Sequence, residues 1–156
     1  MSQAILNLQA AFERATAIRP KVGGFPYLAE VLRRAGVTRN VWSLPACQSL
    51  YLTEQGPVVM QGQPMVMRAA DVPVFDREAL IVALRTDQAG ESTFPEFLAA
   101  SWRAGVVRYE VDLLGRTVTY CGWNDEAYVE SYPAVEVSPL NTASTLLPSG
   151  SGTNAA

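Results

Sequence analysis

The chain reads as an α+β protein: two internally duplicated ααβββ units, with helices packed on a mainly antiparallel sheet. Two observations carry this. Phe25-Pro26-Tyr27-Leu28, leading to Arg34-Ala35-Gly36-Val37-Thr38-Arg39, recurs 69 residues later as Phe94-Pro95-Glu96-Phe97, leading to Arg103-Ala104-Gly105-Val106-Val107-Arg108. The same shift aligns Leu44 with Leu113 and Tyr51 with Tyr120. A repeat of this length is a whole supersecondary unit. In each copy, apolar residues at helical spacing give way after the glycine to two-residue alternation. The expected organisation is one domain over residues 1–137, made of pseudo-repeats at about 2–69 and 70–137.

The elements follow in order. Ile5, Leu8, Phe12 and Ala15 line one face of a helix over 2–17. Lys21 to Gly24 is a loop. A second helix opens near Pro26, where proline removes no needed N–H. Leu28, Val31, Leu32 and Ala35 give it an apolar side, and Gly36 is placed to end it in the left-handed conformation. Short apolar strands are expected at 38–44, 48–53 and 57–61, with Met65-Val66-Met67 extending the sheet. Asp76 is the expected N-cap of the next helix, which runs to Asp87. Thr93-Phe94-Pro95-Glu96 fits a capping box, so a helix runs from there to Gly105. Val107, Tyr109, Val111 and Leu113 then alternate with polar residues, and Leu114-Gly115 and Asn124-Asp125 are turns between three strands. Residues 138–156 hold no charged residue and few large apolar ones. That composition is expected to form a flexible tail.

Composition removes several functions. There is no histidine among the 156 residues. Ser-His-Asp and Cys-His catalysis and His-containing zinc sites are therefore excluded. Cys47 and Cys121 cannot make a four-cysteine site, and no Asp-rich calcium loop is present. No metal and no cofactor are expected. No apolar run approaches the roughly 18 to 20 residues that span a bilayer. The first residues lack the basic start and apolar stretch of a secretory signal. No membrane partner and a cytoplasmic location are the expectations. Residues 1–69 carry seven basic and three acidic side chains, and residues 70–156 carry five and twelve. The halves thus have net charges of +4 and −7. This asymmetry suggests electrostatic complementarity, within the chain or in a head-to-tail homo-oligomer. Nucleic acid is not an expected partner, because the basic residues are few and no aromatic residues interleave with them.

Over the second unit the residues resemble a known family. Ser92-Thr93-Phe94, Phe97, Ala104-Gly105-Val106, Arg108-Tyr109, Asp112 and Arg116-Thr117-Val118-Thr119-Tyr120 carry the likeness. Glu126-Ala127-Tyr128-Val129-Glu130 and Tyr132-Pro133 extend it. The run resembles the prophage-associated YdfO/YbcV family of uncharacterised bacterial proteins. The resemblance implies a small α+β fold and supplies no catalytic residue.

The turns set a register for the second meander. If Leu113 pairs with Arg116, then Val111 faces Val118 and Tyr109 faces Tyr120. If Trp123 pairs with Glu126, Tyr120 faces Val129. Arg108, Glu110, Asp112, Thr117, Thr119, Cys121, Tyr128, Glu130 and Tyr132 would then share the opposite face. Glu110, Thr119 and Glu130 would form one row, with the carboxylates about 9 to 10 Å apart. Two functions from different classes follow. One is a binding or regulatory module that contacts a protein or small ligand through Arg108, Glu110, Thr119, Tyr128, Glu130 and Tyr132. The other is a hydrolase-like enzyme using Glu110 and Glu130 as a carboxylate pair with water between them. No residue stands out as a nucleophile beside a base, so a binding module is the expected function.

Overall fold

The computed structural model describes residues 1–137; the expected tail lies outside the described residues. Each helix start has a local chemical cause. Helix α1 (Gln3–Ile18) begins where the Ser2 hydroxyl accepts the Ile5 N–H, and it buries Ala4, Leu8, Ala11 and Ala15. Helix α2 (Phe25–Arg34) carries Pro26 in its first turn. Helix α3 (Arg77–Gln88) is capped by Asp76, whose carboxylate accepts the Ala79 N–H at 3.0 Å. Helix α4 (Phe94–Arg103) has the capping box: Thr93 N–H donates to Glu96 at 2.8 Å, and Glu96 N–H donates to the Thr93 hydroxyl at 3.3 Å. Gly36 and Gly105 follow α2 and α4 with φ of +94° and +87°. Both glycines stop a helix where L side chains are disfavoured.

The strands are β1 (Val37–Ser43), β2 (Gln48–Thr53), β3 (Val58–Gln61), β4 (Arg108–Asp112), β5 (Thr117–Cys121) and β6 (Ala127–Ser131). They form one antiparallel sheet in the order β3-β2-β1-β4-β5-β6. Met65, Val66 and Met67 do not extend it. The Met65 and Val66 N–H groups instead donate to the Pro45 carbonyl at 3.0 and 3.2 Å, folding the connection back on the β1–β2 turn. Cys47 lies in that turn, with φ of +46°.

The halves meet at the β1–β4 seam, and its register is symmetrical. Val41 pairs with Glu110, and 41 and 110 differ by the 69-residue shift. Arg39↔Asp112 and Ser43↔Arg108 exchange with one another under that shift. The antiparallel pairing is therefore centred on Val41 and Glu110, with positions 69 apart exchanging across it.

All four helices lie against one side of the sheet. Phe12 of α1 packs edge-on against Tyr51, Phe97 of α4 against Tyr120, and Phe94 against Trp42. Arg85 of α3 reaches Glu130 on β6. The ladder puts Trp42, Tyr51, Tyr109, Tyr120, Tyr128 and Glu130 on this same side. Between the layers sit the buried Leu44, Leu80, Val106 and Leu113. Among the described residues, no helix lies on the reverse side of the sheet.

Candidate functional site

The uncovered side follows from pleat and register alone. Side chains alternate between faces along a strand, so every second residue of each strand projects away from the helices. Across the sheet these residues form rows. The middle row is Val59, Leu50, Val41, Glu110, Thr119 and Val129. One flanking row runs through Leu52, Arg39, Asp112, Thr117 and Ser131. The other runs through Gln61, Gln48, Ser43, Arg108, Cys121 and Ala127.

Charge concentrates at the centre of this face. Glu110 lies 3.4 Å from Arg39 and 3.4 Å from Arg108. Arg39 and Arg108 lie in opposite flanking rows, so one carboxylate sits between two guanidiniums. The Arg39–Glu110 contact crosses the seam, so part of the charge complementarity between the halves is satisfied inside the chain. Asp112 accepts the N–H groups of Leu114 and Gly115 and shapes the β4–β5 turn. Around the charges the face is apolar: Val59 is 58% exposed and Val129 56%, with Leu50 and Leu52 near 37% and 36%.

Of the residues expected to share a polar face, Arg108, Glu110 and Thr119 do so. Tyr128, Glu130 and Tyr132 do not. In β6 the ladder pairs Val118 with Glu130, Thr119 with Val129 and Tyr120 with Tyr128. This is one residue out of the expected register, and a one-residue slip moves a strand's side chains to the other face. The cause is the loop. Gly122 N–H donates to the Glu126 carbonyl, leaving Trp123, Asn124 and Asp125 as a three-residue loop with Asp125 at φ +64°. The third row member is thus Val129, and Glu130 lies on the side opposite Glu110. The carboxylate pair of the hydrolase reading is therefore separated by the sheet itself and cannot flank one scissile bond.

The displaced residues have structural work. Glu130 receives the Tyr128 hydroxyl at 2.7 Å, Gln88 at 3.1 Å and Arg85 at 2.7 Å. Burial pushes its pKa up, but the hydrogen bonds from Tyr128, Arg85 and Gln88 outweigh this and hold it below the usual range. The Arg77 guanidinium sits 4.9 Å above the Tyr128 ring. Together these contacts tie β6 to α3. Tyr132 packs edge-on against Phe25, and burial pushes its hydroxyl up to about 12. A shallow groove of about 470 Å³ also runs between α3 and α4, lined by Ala79, Val82, Phe97 and Ala100.

The described residues thus form a two-layer α+β fold in which one sheet face carries no helix. Among the described residues no helix is long and apolar enough to cross a membrane, and no cluster of three metal-ligating side chains occurs. No family model matches the chain. Clear relatives are found among mycobacterial proteins. "Uncharacterized protein Rv2012" of Mycobacterium tuberculosis strain H37Rv is 60% identical over 138 residues, covering 88% of this chain and 84% of the relative. "Uncharacterized protein Mb2035" of Mycobacterium bovis matches to the same extent. The chain belongs to this family of mycobacterial proteins. Their names carry no link to the YdfO/YbcV family.

Proposed function

We propose that the protein is a binding module whose contact surface is the open sheet face centred on Glu110. One observation carries this reading. A face without a helix among the described residues presents Val59, Leu50, Val41 and Val129 around the Arg39–Glu110–Arg108 cluster. Apolar side chains close to a few charges suit a protein partner, where the apolar part drives association and the charges select orientation. The face is a sheet surface rather than a cleft, so it has less to offer a small molecule, which needs enclosure. Glu110 and Thr119 sit centrally on it and Arg108 at one flank. The contact residues are these three together with Arg39, Val41 and Leu50.

The test is affinity capture from the native host at physiological salt, comparing the unsubstituted protein with Glu110→Ala and Arg108→Ala. The expected result is a partner retained by the unsubstituted protein and lost or sharply reduced in both variants. Undiminished retention by both, with folding intact by circular dichroism, would rule the face out.

A further inference from the structure

Resting on the reading of the open face as the contact surface, we propose that its partner is a second copy of this chain, docked sheet to sheet. Three features of the face point to self-recognition.

The first is charge. The face carries two guanidiniums, Arg39 and Arg108, and two carboxylates, Glu110 and Asp112. It is balanced, so it favours neither a strongly acidic nor a strongly basic partner. An isologous interface needs the patch to complement itself, each contact occurring twice.

The second is the pattern of rows. Consider a two-fold axis lying in the interface and running across the strands, along the middle row. Rotation lays that row on itself and each flanking row on the other. Leu50 then meets Leu50 of the second copy, Val41 meets Val41, and Val129 meets Val129. Arg108 falls opposite Asp112 of the second copy, and Asp112 opposite Arg108, because these two occupy opposite flanking rows of β4. Glu110 meets its own equivalent, and each carboxylate brings an Arg39 and an Arg108 to offset the repulsion. Two antiparallel sheets stacked this way pack in the aligned mode, with apolar side chains interdigitating about 10 Å apart.

The third is size. Six strands about 4.8 Å apart and five residues rising about 3.4 Å each outline a face of about 500 Å². Two copies bury about 1,000 Å² in outline, the lower bound for a specific interface, which makes this a concentration-dependent dimer. The arrangement differs from a head-to-tail contact between oppositely charged halves. It closes at two copies, whereas a heterologous contact builds rings or filaments.

The test is sedimentation velocity on the full chain from about 5 µM to about 500 µM, a range that resolves a micromolar dimer. The expected result is a monomer that shifts to a dimer, and no further, with rising concentration. Leu50→Lys and Val129→Lys each place like charges on the axis. Both residues are solvent-exposed, so the variants should fold, and each should weaken the dimer by at least about tenfold. Val82→Lys, on the exposed surface of α3, should leave it unchanged. A chain monomeric throughout the range overturns the proposal. So does a dimer that is indifferent to both Leu50→Lys and Val129→Lys. If the chain stays monomeric but captures an unlike protein that Glu110→Ala releases, the open-face reading stands and the second copy is excluded. If the face captures nothing and the chain is monomeric, both readings fail.

Discussion

At the scale of single residues, the two helix-ending glycines do the same job in different surroundings. A Cβ on Gly36 would come within 3.1 Å of the Glu54 carboxylate, the far end of a flexible side chain. A Cβ on Gly105 would lie 2.5 to 2.6 Å from backbone atoms of Phe75 and Val74, which cannot swing aside. Gly36→Ala should therefore cost about 1 kcal/mol for the positive φ alone, and Gly105→Ala clearly more, about 2 to 4 kcal/mol. Urea denaturation measures both. Equal losses would show that the connection ahead of α3 yields freely. A second residue sets acid stability. The hydrogen bond from Arg33 holds Glu30 down to about 2, against its burial, with Arg34 adding to the pull. An unfolded glutamate titrates near 4.5, so the folded carboxyl has the depressed pKa. Its stabilisation is then present above pH 4.5 and is lost as pH falls toward 2. Glu30→Gln should be less stable than the unsubstituted protein by on the order of 2 to 3 kcal/mol at neutral pH, with the gap closing through that window. A gap that stays constant down to pH 2 would show that the ion pairs contribute nothing through titration.

At the scale of elements, what the sequence revealed depended on how local the determining contacts were. Caps are local, so Asp76 and the Thr93–Glu96 box were legible from a few residues, and so were the glycine stops. The β4–β5 register was legible for a subtler reason. The loop is longer than a two-residue turn, with Arg116 at φ +56°, but it lengthens by one residue on each arm and leaves Val111 opposite Val118. The β5–β6 loop lengthens by one residue in total, and that depends on Asp125 taking a left-handed conformation that its side chain allows but does not demand. Hence Glu130 could not be placed on its true face from spacing. The alternation in β6 gives no correction, since Tyr128 and Glu130 are half-buried by packing under α3 rather than by apolar character. This assigns Glu130 a testable role as the staple between β6 and α3. Glu130→Ala should cost about 1 to 2 kcal/mol, because it leaves the half-buried Tyr128 hydroxyl without its acceptor and releases Arg85 and Gln88 of α3. It should leave association through the open face unchanged, which is the opposite of the outcome expected for Leu50→Lys. Loss of association with no loss of stability would return Glu130 to the binding surface.

At the scale of the whole molecule, the question is whether the repeated order ααβββ makes two units or one. Local pairing alone would allow two, since each three-stranded meander closes on itself through its own turns. The core argues for one. Trp42 stacks on Tyr109 across the seam and meets Phe94 of the second half, while Phe25 of the first half packs on Tyr132 beyond β6. Gly23 N–H donates to the Gln88 carbonyl, joining the loop after α1 to the end of α3. Cutting the chain at the seam would expose these aromatic faces and leave β1 an unpaired edge in the middle of what had been the sheet. Each half is also near the size at which a hydrophobic core alone becomes marginal. The expected outcome is a single cooperative unfolding transition for the whole chain, with fluorescence and circular dichroism coincident. A fragment of residues 1–69 should not fold as a monomer. The seam's symmetry offers it one escape: β1 can pair with β1 of another fragment in the register centred on Val41 that β4 supplies in the intact chain. Ordered material in the fragment should therefore sediment as a dimer, and its helical signal should vanish on dilution. A monomeric fragment that unfolds cooperatively would show that each half has a self-sufficient core, and that the seam joins two folded units instead of completing one.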